Sequence, residues 1–348
     1  MNMNLLEKID KELRKCGLDP ISNVINNKGK CLEYINKLLT KVGNNVTIPE
    51  QIEVSKYDFR IKHVLLSFGI GFILADFNGV KEKINTEYHI QNIQDIFVYT
   101  WLTLCLYHDY GYFIKSAYTN IDGFENIVLN HSIFDYDYSP SRYTYNLYAE
   151  YYNKKYHKQL EKDNQQFWDG EEIGDHGILG GYILFDKLYE SPNAPENTMQ
   201  TKMPFYQDIC YRIMEHNIWK QNKEYDKEHA FYAISNENFK IIDILEPLLY
   251  ILSLVDTIEM VKKFCKNPQK QTSRSVLPAK LSSQFYVDVT KTKILINYSK
   301  VEDYVKRNKY KTEDIDLWVK SVVGLKDWVD LTVENDDTLK QIVIGITA

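Results

Sequence analysis

The sequence predicts a mainly α-helical protein that carries a small α+β appendage at its C-terminal end. Apolar residues recur at helical spacing in several segments up to residue 264. The character of the sequence changes after residue 265, and residues 285–298 are rich in β-branched and aromatic residues. We therefore expect an N-terminal helical segment over 1–56, a helical domain over 57–266 and a C-terminal α+β accessory segment over 267–348. The hydrophobic content of 44% is sufficient for a substantial core.

Seven helices are predicted in the first two segments. Their ranges are 4–16, 31–41, 57–76, 92–108, 175–190, 196–219 and 238–264. The first two are amphipathic, and Pro20 and the polar run 26–29 separate them. The next two are strongly apolar, and Gly111 ends the second of these. Pro247 is expected to kink or divide the last helix.

The pair Gly69 and Gly71 lies inside the helix predicted over 57–76. It is not a dinucleotide-binding fingerprint, because a third glycine and a preceding strand are missing. Small residues that permit close contact between helices are the better explanation.

The accessory segment combines strand and helix patterns. Residues 285–298 are rich in β-branched and aromatic side chains, which predicts one long strand or a hairpin that turns near Thr290. A helix is expected near 312–332, and the alternating apolar residues of 341–347 predict a closing strand.

Charge and cysteine usage argue against several classes of protein. The formal charge of −6 offers no general basis for binding nucleic acid. The five cysteines are scattered and form no CxxC pair, which favours a reducing cytoplasm over a disulfide framework or a structural zinc knuckle. The first residues become charged too early for a secretory signal, and the longest apolar stretch is too short and too polar to span a bilayer. We expect a cytoplasmic protein with neither a membrane nor a nucleic acid as partner.

Histidine and aspartate occur in five short stretches, each in or beside an apolar, helix-like run. In chain order the residues are His63, His108 with Asp109, His176, His216 and Asp256. Buried imidazoles and carboxylates are costly unless something pairs them. Because these stretches fall in different predicted helices, a helical bundle can direct their side chains toward one position in its core. A metal site is therefore predicted.

The ligand types limit which metal such a site takes. Four imidazoles and two carboxylates suit Fe, Mn, Zn, Ni or Co and do not suit Ca²⁺, which prefers oxygen ligands. Six residues exceed what one catalytic ion needs, since open positions must remain for water and substrate. Two divalent transition-metal ions that share a bridging carboxylate fit better, and Asp109, next to a ligand histidine, is the natural bridge.

This pattern resembles the HD-domain superfamily of metal-dependent phosphohydrolases, which are helical and named for the His-Asp pair. The resemblance covers about residues 57–264 and implies an HD-domain helical bundle. It implies that His63, His108, Asp109 and Asp256 hold one metal, and that Asp109, His176 and His216 hold a second. Many family members carry lysine directly after the glycine of the HD motif, whereas Tyr112 follows Gly111 here. Lys115, one helical turn further on, is a candidate substitute that contacts phosphate.

The expected function is hydrolysis of a phosphate ester or anhydride in a small molecule, with a nucleotide as the favoured substrate. A metal-activated hydroxide would attack phosphorus without a covalent enzyme intermediate. Two alternatives stay open: a di-iron oxygenase of the myo-inositol oxygenase type, which the same six ligands would suit, and a non-catalytic HD module that senses a nucleotide. The substrate, the metal and the oligomeric state do not follow from the sequence.

Overall fold

The structure is a computed structural model in which helices account for 69% of the described residues and a small sheet lies near the C-terminus. The predicted fold class, mainly α with a small α+β appendage, is confirmed at that level. The residues described are 3–43, 46, 48–49, 59–75, 79–87, 93–111, 176–189, 205–206, 208–210, 212–213, 216, 246–259, 278–290, 293–308, 313–324, 331–335 and 340–345.

The helical part begins with a two-residue strand that is followed by helices. These elements are β1 (Met3–Asn4), α1 (Leu5–Lys15), α2 (Lys28–Val42), α3 (Phe59–Ala75), α4 (Val80–Glu87), α5 (Ile96–Tyr107), α6 (His176–Tyr189) and α7 (Glu246–Ile258). Asn4 and Glu7 form a reciprocal capping box at the start of α1. The side chain of Asn27 caps α2, so this helix begins one turn earlier than predicted, inside the polar run.

Helix α3 lies at the centre of the helical part and packs against α1, α2, α5 and α7. Its two glycines make these contacts close. A Cβ on Gly71 would lie 1.9 Å from the Trp101 ring, and one on Gly69 would lie 2.5 Å from the Ile9 side chain. The Trp101 indole donates a hydrogen bond to the carbonyl of Phe68 at 2.9 Å. The explanation of this glycine pair by close helix contact is confirmed.

Helix α7 begins at Glu246, so Pro247 lies in its first turn. Proline is tolerated there because the N–H at this position has no partner within the helix. Residues 238–245 of the predicted helix lie outside the described residues. Within the helix predicted over 196–219, the described residues 205–206, 208–210 and 212–213 are helical, whereas His216 lies in a turn.

No single helix among the described residues is long and apolar enough to cross a membrane. Within the described ranges, one pair of helices, Arg60–Ala75 and Val80–Thr86, reaches that length and composition together, and the two are bent by 90° at the break between them.

The C-terminal part contains four strands and three helices among its described residues. They are α8 (Pro278–Ser282), β2 (Tyr286–Val289), β3 (Lys293–Asn297), α9 (Ser299–Arg307), α10 (Glu313–Val323), β4 (Leu331–Asn335) and β5 (Lys340–Gly345). Of the two predicted forms of 285–298, the hairpin is the one observed. The predicted helix over 312–332 is wrong at its end, because α10 stops at Val323 and residues 331–335 pair with β5 as strand β4. The β-branched Thr332 and Val333 fit the pleated sheet better than a helix.

One antiparallel sheet joins the two ends of the chain. Its strand order is β1-β2-β3-β5-β4, and β1 from the N-terminus pairs with β2. The buried face includes Val287, Ile294, Ile296, Ile342 and Ile344, which pack into a core continuous with that of the helices. The C-terminal strands therefore share their sheet and their core with the N-terminal segment.

Candidate metal centre

The six residues predicted as metal ligands are buried and lie in two groups. Each residue is between 0% and 6% exposed. In each group the candidate ligand atoms lie within 4.8 Å of one another. The first group consists of His63, His108, Asp109 and Asp256, and the second group consists of Asp109, His176 and His216. Asp109 belongs to both groups.

Helix ends supply most of these side chains. His108 is the C-terminal cap of α5, and Asp109 follows it directly where the helix opens. His176 is the first residue of α6, and Asp256 lies in the last turn of α7. His63 is an exception, because it projects from the interior of α3. Five separate pieces of chain, the fifth carrying His216 in a turn, therefore meet at this centre.

Backbone carbonyls orient two of the imidazoles. His108 Nδ1 lies 3.0 Å from the carbonyl oxygen of Cys105, and His216 Nδ1 lies 2.5 Å from that of Ile213. A carbonyl oxygen can only accept a hydrogen bond, so each Nδ1 carries a hydrogen, and in the neutral imidazole the lone pair is then on Nε2. Such contacts fix the tautomer and the ring orientation of metal-binding histidines. Both rings therefore present Nε2 as a potential ligand atom.

The first group brings three electron-rich atoms together. His63 Nε2 lies 3.1 Å from His108 Nε2, and Asp256 Oδ1 lies 3.4 Å and 3.5 Å from these two nitrogens. On its other side, His63 Nδ1 lies 2.6 Å from the carboxylate of Glu259. Lone pairs that face one another in a buried site repel unless a proton or a cation lies between them. A single divalent cation would satisfy all three atoms at once.

Asp109 lies between the two groups. Its Oδ1 is 3.5 Å from His176 Nε2 and 3.7 Å from His108 Nε2, while its Oδ2 is 3.7 Å from His63 Nε2. Arg60 donates a charge-assisted hydrogen bond to the same Oδ2 at 3.0 Å. The carboxylate can therefore face one ion in each group, which is the arrangement that a bridging ligand requires.

Two ring contacts and one hydrogen bond hold His216 in position. Its ring centroid lies 5.3 Å from that of His108 and 5.1 Å from that of His176. The hydroxyl of Ser253, which lies three residues before Asp256 on α7, donates to the backbone carbonyl of His216 at 2.9 Å. The segment that carries His216 is thereby held against the helix that carries Asp256.

Two glycines allow α5 and α6 to approach closely enough for Asp109 to meet His176. A Cβ on Gly111 would lie 2.1 Å from the carbonyl oxygen of His176. A Cβ on Gly180 would lie 2.5 Å from the carbonyl oxygen of Tyr107. Real Cβ atoms do not come this close to backbone, so both positions require glycine. The glycine that follows the HD pair therefore has a packing role at this centre.

Alanine at Gly111 is expected to destabilise the protein by about 1–3 kcal/mol, because the added methyl group must displace the backbone at the start of α6. Urea unfolding measures this change. Gly29→Ala in α2 is the matched control, since its Cβ would meet only the Asn27 side chain, at 3.4 Å. Equal stability of both variants and the wild type would contradict the close approach of Gly111 to the backbone of His176.

The ligand set fits a divalent transition metal. Imidazole nitrogens and carboxylate oxygens are borderline ligands, which suit Fe, Mn, Zn, Ni or Co better than Ca²⁺. The Cys105 thiol belongs to neither group of candidate ligands, and burial raises its pKa well above the usual value. Lys115, predicted as a phosphate contact, lies outside the described residues.

Sequence reasoning missed Arg60 and Glu259. Each lies three residues from a predicted ligand on the same helix or at its end, Arg60 before His63 and Glu259 after Asp256. Residues three apart share a helix face. Searching the faces on which the predicted ligands lie for further charged residues would have found both.

Comparison of the chain with protein-family models, with curated proteins and with solved structures found no match. The function proposed below is therefore argued from the residues of this centre.

Proposed function

We propose that this protein is a metal-dependent phosphohydrolase of the HD-domain type, with two divalent ions at a centre that Asp109 bridges. The observation that carries this proposal is that the two groups of candidate ligands share Asp109 and no other residue. Together they contain the six residues that the HD resemblance implies. A buried set of four imidazoles and two carboxylates is costly without cations, which supports bound metal.

Each part of the centre has a role in this proposal. When bound, the two ions supply a water molecule of lowered pKa as nucleophile and neutralise phosphoryl charge. Asp109 would be a ligand of both ions, and the backbone contacts of His108 and His216 keep their Nε2 atoms directed at the centre. The burial of the candidate ligands limits their contact with bulk water.

Arg60 is the group that we assign to the phosphoryl oxygens. Its guanidinium already contacts a carboxylate of the centre, and its side chain is 15% exposed, so part of it reaches solvent. A guanidinium presents several donors in a plane and suits phosphate better than a single ammonium group does. Arg60 would therefore supply the cationic contact to phosphate for which the sequence suggests Lys115.

The test is elemental analysis of anaerobically purified protein, followed by hydrolysis assays. A panel of nucleotides, phosphomonoesters and phosphodiesters is assayed with Mn²⁺, Fe²⁺, Co²⁺ or Ni²⁺. We expect about two transition-metal ions per chain and release of phosphate or of a phosphomonoester. Protein without any such metal, or metal-loaded protein that hydrolyses no member of the panel, would contradict the proposal.

The same ligand set would suit a mixed-valence di-iron oxygenase, so oxygen consumption is measured in parallel with an iron-loaded sample. Oxygen uptake with a polyol and no phosphate release would favour that alternative. Tight nucleotide binding without turnover, despite full metal loading, would instead favour a sensing module.

Alanine at His176 or at His216 is expected to remove one ion and leave the other. Both belong only to the second group, whereas the first group retains all four of its members. The measurement is metal content per chain by elemental analysis. Unchanged stoichiometry in both variants would indicate a mononuclear centre and make these histidines core residues.

Glutamine at Arg60 is expected to raise KM for the phosphorylated substrate about tenfold or more, while metal content stays at two ions. The reason is the loss of a charge-assisted hydrogen bond to phosphate, which contributes about 1.5–3 kcal/mol. Arg307→Gln, at an exposed arginine of α9, is the control. Loss of metal from Arg60→Gln with KM unchanged would show that Arg60 serves only to orient Asp109.

A further inference from the structure

The imidazoles of the centre differ in the hydrogen-bond partners of their Nδ1 atoms. His108 and His216 each donate to a neutral backbone carbonyl three residues earlier in their own segment. His63 instead faces the carboxylate of Glu259, at 2.6 Å. This contact joins residues 196 positions apart in the sequence, so it depends on the packing of α3 against the end of α7.

Glu259 occupies a constrained position. It directly follows the last residue of α7, is 3% exposed, and its backbone N–H donates to the carbonyl of Val255 at 2.8 Å. Asp256, a member of the first group, lies three residues earlier. The carbonyl of Ile258 accepts a hydrogen bond from the Trp318 indole at 3.1 Å. These two hydrogen bonds hold the end of α7 in place. The same short segment carries Asp256, a candidate ligand, and Glu259, the partner of the candidate ligand His63.

We propose that Glu259 is a positioning residue for the first group, which acts through His63. This inference rests on the dinuclear centre of the proposed function. The Glu259 carboxylate accepts the hydrogen of His63 Nδ1, holds Nε2 toward Asp256 and His108, and makes the imidazole a stronger ligand. The first group therefore contains a histidine whose partner is a charged carboxylate, whereas the Nδ1 atoms of His108 and His216 have neutral carbonyl partners.

The test uses Co²⁺ alone, whose visible absorption reports its ligands. Binding is measured in metal-free wild type, Glu259→Gln and Glu259→Ala. Partners of this kind typically contribute about 10–100-fold to metal affinity. We expect the affinity for one of two Co²⁺ ions to fall about tenfold in Glu259→Gln, because the amide oxygen still accepts, and about a hundredfold in Glu259→Ala. The second ion should bind as in the wild type.

Glu12→Gln is the matched control. Glu12 is 2% exposed, and its carboxylate contacts Lys8 and Lys15 rather than any member of the centre. The same chemical change at this buried carboxylate should leave binding of both ions unchanged. If Glu12→Gln lowered Co²⁺ affinity as much as Glu259→Gln, the effect would be one of general stability, and the positioning role would be overturned.

A second measurement uses only the wild-type protein, so it does not depend on whether a variant folds. In Zn²⁺-loaded wild type, long-range ¹H–¹⁵N NMR should show a hydrogen on His63 Nδ1, as for His108. A His63 ring without that hydrogen would overturn the proposal. If wild type binds no Co²⁺ at all, both the proposed function and this inference fail. If wild type binds two ions and Glu259→Ala binds both equally well, only this inference fails.

Discussion

Replacing Asp109 by alanine is expected to remove both metal ions and to abolish hydrolysis. Asp109 is the residue that belongs to both groups, and its two oxygens face His176 on one side and His63 on the other. Without this carboxylate, each ion loses a ligand, and the repulsion between two cations is no longer screened. Elemental analysis and the phosphate-release assay measure the two effects.

Asp256→Ala is the comparison that separates bridging from simple ligation. Asp256 belongs only to the first group, so this variant should retain the ion of the second group. Asp109→Ala should therefore lose more metal than Asp256→Ala does. Near wild-type metal content in Asp109→Ala would show that the bridge is assigned wrongly.

Alanine at Trp318 is expected to destabilise the protein by about 3–5 kcal/mol, the usual range for truncation of a fully buried Trp or Phe. Trp318 is 0% exposed, donates to the carbonyl of Ile258, and packs edge-on against Phe285 and Tyr298. The substitution leaves a large cavity between α10, α7 and the hairpin and an unpartnered carbonyl at the end of α7.

Urea unfolding of Trp318→Ala measures this loss. Leu317→Ala, at the neighbouring residue of α10, is the control, because Leu317 is 58% exposed and should change the free energy of unfolding by less than about 0.5 kcal/mol. Metal content is measured in parallel, since Ile258 lies between Asp256 and Glu259. A loss below about 1 kcal/mol at Trp318 would contradict the packing of the C-terminal part against α7.

Local patterns account for the elements that the sequence predicts well. The apolar period of α1 and α2, the continuous apolar run of α5 and the β-branched run of the hairpin lie within single segments, where propensity and burial favour the same structure. Several elements were not predicted from the sequence, namely helices α4, α8 and α9 and strands β1 and β4. Strand β1 has only two residues, Met3 and Asn4, and it forms because β2 offers an edge, while β4 replaces a predicted helix because β5 pairs with it.

By itself, the sequence determined which residues are candidates for the metal centre, because histidine and aspartate inside apolar runs are unusual enough to be recognised without a structure. It also predicted the mainly helical structure that the described residues have. Only the tertiary structure decided that Arg60 contacts Asp109, that Glu259 contacts His63 and that β1 joins the C-terminal sheet. These contacts connect residues far apart in the sequence. Their distances depend on how closely the helices pack. At Gly111, for example, α5 and α6 approach each other closely because this residue has no Cβ. No local sequence pattern encodes that spacing.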